Sequence, residues 1–146
     1  KGIDLEAMYD AGDFYIGGTG AFIDANYGDQ YQVPPGGSNP TLLNLYMSPK
    51  RKLSLDGGLR FFERKFTVGG RITGVKPEQQ GGSLLGSYKY HPYTLIDLYT
   101  SYKVNENFAI RASVENLRDV AYVEAMGAQL SPSPGRTFTI GATAKF

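Results

Sequence analysis

With 146 residues and a formal net charge of +1, the chain is expected to form one domain and to lack the long-range field that attracts nucleic acid. The absence of cysteine excludes a disulfide scaffold and a thiolate metal site. The mean hydropathy is −0.30, and no run approaches the roughly 20 apolar residues of a membrane-spanning helix. Nineteen glycines, eleven tyrosines and eight phenylalanines instead indicate strands, tight turns and aromatic girdles.

The sequence starts at Lys1 and enters an alternating strand at once, with no signal peptide ahead of it. A protein exported to an outer membrane needs such a signal. We therefore expect the chain to be a piece of a longer polypeptide.

Alternating apolar and polar residues predict seven strands along the chain. In the third, Leu53, Leu55 and Leu59 alternate with Asp56 and Arg60, so one face of the strand is apolar and the other polar. The other predicted strands repeat this pattern, although the glycines of the second weaken it. The predicted strands span about residues 2–10, 14–26, 52–62, 66–76, 93–104, 108–116 and 135–146.

The connections between these strands alternate between short and long. Three are tight turns, and the other three are long polar loops at about residues 27–51, 77–92 and 117–134. Outer-membrane β-barrels show this asymmetry, with small periplasmic turns and large extracellular loops. The pattern predicts an outer-membrane location with the carboxy terminus in the periplasm.

The last strand, GRTFTIGATAKF, keeps its alternation to an aromatic terminal residue. That ending is typical of the closing strand of an outer-membrane barrel, whose apolar face meets lipid. Seven strands cannot close a bacterial single-chain barrel, and an open sheet in lipid would leave unsatisfied edges costing several kcal/mol per group. The predicted fold class is therefore all-β: a transmembrane antiparallel barrel segment, not a closed barrel.

Two stretches carry a family resemblance. Residues 92–122, PYTLIDLYTSYKVNENFAIRASVENLRDVAY, and residues 134–146, PGRTFTIGATAKF, resemble the carboxy-terminal end of TonB-dependent outer-membrane receptors. KGIDLEAMYD resembles an upstream strand of that family, and residues 48–51, SPKR, resemble its entry into another. The departures are mild: Arg118 stands where the family usually has Phe, and Arg51 where it usually has His.

The resemblance implies a 22-stranded barrel closed by an amino-terminal plug domain, of which this chain would be the last third. The plug and the TonB box would lie outside the chain. Receptors of this family import iron chelates, haem or vitamin B12, driven by TonB acting through the plug. We expect an iron–siderophore complex or haem as the transported ligand, with no covalently bound cofactor, no resident metal and no enzymatic activity.

The implied partners are the rest of the same receptor, outer-membrane lipid or lipopolysaccharide, and the barrel-assembly machinery, with no nucleic acid. The terminal strand resembles the assembly signal that this machinery reads. The residues at the usual spacing of that signal are Thr139, Gly141, Ala144 and Phe146.

Charged residues on the polar faces are candidates for contact with the plug. They could instead pair with one another across adjacent strands, for example Arg71 with Asp97, which is ordinary sheet chemistry. The candidates are Asp56, Arg60, Arg71, Asp97, Arg111 and Glu115.

The outer loops hold candidate ligand-binding residues. His91, the only histidine, lies beside Tyr88 and Tyr90, and either residue type can be an axial haem ligand. These tyrosines, together with Tyr31, fit an aromatic belt at the membrane interface equally well. The sequence offers no catalytic constellation. The alternative interpretation is a self-contained outer-membrane barrel that acts as an enzyme, adhesin or porin.

Overall fold

A computed structural model describes residues 1–24, 49–77, 81–83, 86–88, 91–124 and 132–145. Within these ranges the chain forms a seven-stranded antiparallel sheet with the order β1-β2-β3-β4-β7-β8-β9, and β5 and β6 form a separate two-stranded hairpin. No helix in the described ranges is both long and apolar enough to cross a membrane. The strands are β1 Gly2–Asp10, β2 Phe14–Ile23, β3 Arg51–Phe61, β4 Phe66–Lys76, β5 Gly81–Ser83, β6 Gly86–Tyr88, β7 Tyr93–Lys103, β8 Phe108–Glu115 and β9 Thr137–Ala144.

This architecture confirms the all-β fold class and the open antiparallel sheet. The second strand ends at Ile23, before the predicted end near residue 26, and two further details differ from the sequence prediction. The segment predicted as a loop at residues 77–92 contains the β5–β6 hairpin, whose glycine-rich strands have no apolar alternation to reveal them. The last strand begins at Thr137 instead of Gly135, because the Arg136 backbone N–H is held by the Asp119 carboxylate at 2.8 Å, outside the ladder.

The register keeps apolar and polar side chains on opposite faces across the whole sheet. Leu55 lies opposite Ile72, which in turn lies opposite Ile96. One residue further along, Asp56 lies opposite Arg71, and Arg71 opposite Asp97. Because side chains alternate with period two, this register gives the sheet one apolar face and one polar face.

The apolar face has no packing partner among the described residues. Leu55 is 61% exposed and Ile140 82%, whereas Val75, at 6%, is buried. A water-soluble monomer rarely exposes a contiguous apolar surface of this extent. The sheet therefore requires an apolar medium or another surface against this face.

All three short turns lie at one end of the sheet. They connect β1 to β2, β3 to β4 and β7 to β8, whereas the strand ends that the three longer connections join lie at the opposite end. In the β3–β4 turn Phe62, Glu63 and Arg64 take consecutive left-handed φ angles of 52°, 55° and 66°, and the Lys65 N–H closes the turn on the Phe62 carbonyl at 3.0 Å. Arg64 also lies 3.7 Å from the Asp13 carboxylate of the neighbouring turn.

Aromatic side chains form a row on the apolar face, next to the short turns; its members are Tyr9, Phe14, Phe61, Phe66 and Tyr102. Tyr9 and Phe14 have ring centroids 5.9 Å apart, and Phe66 lies 6.2 Å from Phe61 and 6.5 Å from Tyr102. We call this group the aromatic row. It marks one boundary of the apolar face.

Candidate functional site

The polar face brings several of the predicted wall residues together with two tyrosines that sequence reasoning did not single out as a site. Tyr15 of β2 and Tyr99 of β7 are separated by β3 and β4, yet their hydroxyl oxygens are 2.6 Å apart. The residues between them in the same cross-strand row are Gly58 and Gly69. We call these four residues the tyrosine bridge.

The two glycines form the floor of the tyrosine bridge. A Cβ atom at Gly69 would lie 2.6 Å from ring and hydroxyl atoms of Tyr99, and one at Gly58 would collide with the ring and hydroxyl of Tyr15. Each ring therefore lies flat across a glycine, in the space that any larger residue would fill. This arrangement lets two side chains span four strands and meet.

The bridge continues into an ion pair through Asp56. Its carboxylate accepts a hydrogen bond from the Tyr99 hydroxyl at 2.9 Å on one oxygen and from Arg71 Nε at 3.2 Å on the other. The side chain of Arg71 is 54% exposed, so its guanidinium remains accessible from the polar face. Since the pair is open to solvent, its own contribution to stability is about 0–1 kcal/mol.

Arg60 extends the network to β1. Its guanidinium makes a bidentate contact with the Asp10 carboxylate at 2.7 and 2.8 Å, and it also donates to the Gly12 carbonyl at 2.7 Å. The same guanidinium lies 4.7 Å from the centroid of the Tyr15 ring, a cation–π distance. We call the tyrosine bridge with these flanking groups the polar network; its charged members are Asp10, Arg60, Asp56 and Arg71.

The predicted pairing of Arg71 with Asp97 is wrong in its choice of partner. The two residues are cross-strand neighbours, but in the described residues Arg71 pairs with Asp56. The Asp97 carboxylate instead accepts the backbone N–H of Asn116 at 2.8 Å. Asn116 has a left-handed φ of 50°, which turns the chain at the end of β8 and places this N–H beside Asp97.

Arg111 and Glu115 lie on the same polar face as the network but outside it. Arg111 lies opposite Ser101 and Gly141, and Glu115 opposite Thr137. Both side chains are exposed, and neither forms an ion pair with another described residue. The six predicted wall residues thus share one face, and three of them belong to the polar network.

A second structured element is the turn after β8. Asn116, 4% exposed, donates its side-chain amide to the Val120 carbonyl and accepts the Val120 N–H, both at 2.9 Å. The Asp119 carboxylate accepts the backbone N–H of Arg136, just before β9. A Cβ atom added at Gly135 would lie 2.5 Å from the same carboxylate oxygen. The segment NLRDVAY and the later PGR are therefore joined by direct contacts.

The predicted ligand residues are only partly within the described ranges. His91 is exposed and lies between the β5–β6 hairpin and β7, while Tyr88 is the last residue of β6. Tyr31 and Tyr90 lie outside the described residues. Among the residues that the structure describes, no group of three or more histidine, aspartate or glutamate side chains is placed to hold a metal ion.

Three residues of the predicted assembly signal, Thr139, Gly141 and Ala144, lie on β9. Within the described sheet, β9 pairs with β8 alone. Thr139 lies opposite Ser113 and Gly141 opposite Arg111 on the polar face, whereas Ala144 lies opposite Phe108 on the apolar face. Phe146 lies outside the described residues.

Residues 1–117 match the family model described as "TonB dependent receptor-like, beta-barrel". The chain belongs to this family of TonB-dependent receptor β-barrels. A curated member, a "Probable TonB-dependent receptor" of Haemophilus influenzae, is 27% identical over 162 aligned positions that cover 88% of this chain and 18% of that protein. The chain thus spans about a fifth of the length of its relatives.

Solved structures of receptors share the fold at low identity. The copper transporter OprC superposes with a TM-score of 0.71 at 19% identity, covering 98% of this chain and 23% of that one. The ferric enterobactin receptor PfeA of Pseudomonas aeruginosa gives 0.66 at 19% identity, covering 99% and 22%. FpvA of P. aeruginosa, bound to an iron–pyoverdine complex, gives 0.62 at 17% identity, covering 97% and 19%. Each of these neighbours contains this seven-stranded arrangement as part of a larger barrel chain.

Proposed function

We propose that the chain is the carboxy-terminal part of the barrel wall of a TonB-dependent outer-membrane transporter that imports an iron chelate, either a siderophore complex or haem. The observation that carries this proposal is the two-faced sheet with all of its short turns at one end. The exposed apolar face suits contact with hydrocarbon, and the polar face suits an aqueous lumen. The edges of β1 and β9 would pair with upstream strands of the same receptor.

The dimensions of the sheet support this placement. From Phe66 to Lys76, β4 advances ten residues, about 33 Å along the strand at roughly 3.3 Å per residue. At a strand tilt of about 40° this rise corresponds to about 25 Å along the membrane normal, the height of the apolar band of an outer-membrane barrel. The aromatic row then lies at the periplasmic interface, and the long connections lie outside the cell.

The polar network would face the plug. A plug that TonB pulls on needs a wall whose contact groups are already in position, because ordering long side chains on binding costs roughly 0.5–1.5 kcal/mol each. In the network Arg60 is fixed by Asp10 and Tyr15, and Asp56 by Tyr99 and Arg71. The half-exposed Arg71 guanidinium is the group we expect to meet a plug carboxylate, with Asp97, Arg111 and Glu115 beside it on the same face.

The iron-chelate proposal draws on the receptors for ferric enterobactin and iron–pyoverdine among the structural neighbours. For haem, His91 is the residue of this chain that would act as an axial ligand, with Tyr88, Tyr90 and Tyr31 contributing to the outer vestibule. These residues belong to the connections that would lie outside the cell, where cargo arrives.

The test of the wall assignment uses the full receptor and exploits the absence of cysteine from this segment. Ile110→Cys and Arg111→Cys place adjacent probes on opposite faces of β8. We expect a fluorophore at position 110 to be quenched by lipid-borne quenchers and one at position 111 by water-soluble quenchers. The reverse pattern would overturn the assignment of faces.

Transport itself is tested by uptake of the radiolabelled iron chelate in cells with and without TonB. We expect uptake to be lost without TonB. Entry that continues at the same rate in TonB-deficient cells would favour the alternative of a self-contained porin-like barrel. Hydrolysis of a substrate, or cell adhesion by the purified barrel, would favour an enzyme or an adhesin.

A further inference from the structure

The charges on the polar face are segregated along the strands. The described acids of the strands on this face lie level with the tyrosine bridge or farther from the short turns; they are Asp4, Glu6, Asp10, Asp56, Asp97 and Glu115. Between the bridge and the turns, apart from Arg60, which is paired with Asp10, this face carries exposed cations. We call these cations the basic patch; they are Lys65, Lys103, Arg111 and Lys145.

Two lysines of the basic patch lie directly opposite each other. The Lys103 N–H donates to the Lys65 carbonyl at 2.8 Å, so the two side chains share one face. Like charges at opposed positions destabilise a sheet. Arg111 is the diagonal neighbour of Lys103 on β8, roughly 7–8 Å away. None of the patch cations forms an ion pair with a described carboxylate, so no acid in these ranges offsets their repulsion.

The surface between these cations is low because its side chains are small. Ala109 lies opposite Lys103, and Thr143 lies opposite Ala109 on β9. At Gly141, which lies opposite Arg111, an added Cβ would meet nothing within 4 Å. Long cationic side chains therefore surround a shallow depression that leaves room for a bulky anion.

We propose that the basic patch binds the transported iron chelate as it leaves the lumen, and that this cargo is a complex with a net negative charge, such as a ferric tris-catecholate. The assignment rests on the function proposed above, in which the polar face lines the lumen and the short turns lie on the periplasmic side. It adds a site on the barrel wall at the exit, far from the outer loops where cargo arrives.

The chemistry of the patch suits an anionic chelate. A ferric tris-catecholate is negatively charged because its deprotonated oxygens outnumber the charges of the iron. Arginine can donate two hydrogen bonds to adjacent anionic oxygens, and lysine adds a mobile point charge. An anion that moves from the level of the acids to the level of the patch moves toward positive potential, which favours passage to the periplasm.

The exposure of the patch also suits a site of transit. Each exposed cation attracts an anion only weakly, by about 0–1 kcal/mol for a solvent-exposed pair. Several such contacts attract a passing anion without holding it, and a solute that must leave a pore requires binding of this kind. We therefore expect weak, salt-dependent binding at the patch.

The test measures binding by the purified full receptor in a neutral detergent, which exposes the periplasmic mouth of the barrel. Thr143→Cys, in a receptor without other reactive cysteines, carries a fluorophore beside the depression, where a bound ferric complex quenches it. The two probes are a ferric tris-catecholate, which is anionic, and a ferric tris-hydroxamate, which is neutral.

Three triple variants are compared on this labelled receptor. The first removes the charges of the patch: Lys65→Gln, Lys103→Gln and Arg111→Gln. The second keeps the charges and changes the side chains: Lys65→Arg, Lys103→Arg and Arg111→Lys. The third removes the same number of exposed cations at the opposite end of the sheet: Arg51→Gln, Lys76→Gln and Arg118→Gln.

We expect the first variant to bind the tris-catecholate roughly 30-fold more weakly, about threefold for each cation, and the other two to stay within about twofold of the unmodified receptor. The tris-hydroxamate should give no saturable quenching. Equal binding by the first variant, an equal loss in either of the others, or equal binding of the two complexes would overturn the proposal. So would the absence of saturable quenching by the tris-catecholate.

This binding measurement can fail independently of the proposed function. If the tris-catecholate binds as expected but uptake by the unmodified receptor is independent of TonB, the basic patch stands and the assignment as a TonB-dependent transporter falls. If uptake requires TonB but binding is insensitive to the charges of the patch, the transporter stands and the patch falls.

Discussion

Replacing Tyr99 with phenylalanine should destabilise the barrel by removing one oxygen atom from the polar network. The Tyr99 hydroxyl contacts the Tyr15 hydroxyl at 2.6 Å and donates to Asp56 at 2.9 Å. A neutral hydrogen bond contributes about 1 kcal/mol and one to a charged group about 1.5–3 kcal/mol. Because Asp56 is partly exposed and water can replace the lost donor, we expect a net loss of stability at the lower end of the sum, about 2.5 kcal/mol.

The structure supplies two matched comparisons. Tyr15→Phe removes only the contact between the two hydroxyls, so it should cost about 1 kcal/mol. Tyr102→Phe makes the same chemical change on the same strand but on the apolar face, where the described contact is with the Phe66 ring, and it should change stability by less than about 0.5 kcal/mol. The loss of stability should therefore be largest for Tyr99→Phe, smaller for Tyr15→Phe and smallest for Tyr102→Phe.

The assay is equilibrium unfolding of the full receptor in detergent or vesicles, followed by the shift in gel mobility that distinguishes folded from unfolded barrels. The double variant Tyr15→Phe with Tyr99→Phe should be less destabilised than the sum of the single variants by about 1 kcal/mol, the shared hydrogen bond. If Tyr99→Phe unfolds at the same denaturant concentration as Tyr102→Phe, the polar network does not stabilise the wall and the reasoning fails.

Three further changes test other parts of the chain. Asn116→Ala should lower the free energy of unfolding by about 2–3 kcal/mol, because it removes two hydrogen bonds to Val120 and leaves alanine in a left-handed conformation. Asn116→Gly removes the same hydrogen bonds but keeps that conformation accessible. Equal losses of stability in the two variants would show that the strain is negligible. Deletion of Phe146 should lower the amount of heat-modifiable receptor in outer-membrane fractions, and normal abundance would contradict the role of β9 as closing strand. His91→Ala should weaken haem binding in an absorbance titration, while an unchanged spectrum would remove His91 as a ligand.

The sequence predicts the faces of the strands well because period-two alternation is a local property. Leu53, Leu55 and Leu59 identify the apolar side of β3 without any knowledge of its neighbours, and β4 keeps the same pattern. The β5–β6 hairpin has no such alternation. The three consecutive residues with left-handed φ angles, Phe62 to Arg64, include no glycine from which that conformation could be predicted. Those elements depend on contacts that local patterns do not encode.

The site was harder to predict because its contacts depend on register across several strands. Arg71 has an aspartate on each side; it pairs with Asp56, while Asp97 accepts a backbone N–H that Asn116 supplies from the turn after β8. The tyrosine bridge requires two glycines to lie opposite each other between two tyrosines. The tyrosine bridge could have been predicted from two features together: tyrosines on the polar faces of two strands, and glycines on the polar faces of the strands between them.

Within the described ranges the apolar side chains form no packed core, and this gives the polar face a role in specifying the register. A slip of one residue between β3 and β4 would expose polar groups to lipid, so the membrane itself disfavours it. A slip of two residues would keep apolar side chains outward, and hydrocarbon, which offers no fixed packing partners, would scarcely distinguish it. On the polar face, however, Gly58 would then lie opposite Thr67 or Arg71 instead of Gly69, and the floor under the two tyrosine rings would be lost. The polar network, more than lipid-facing packing, therefore selects the native register.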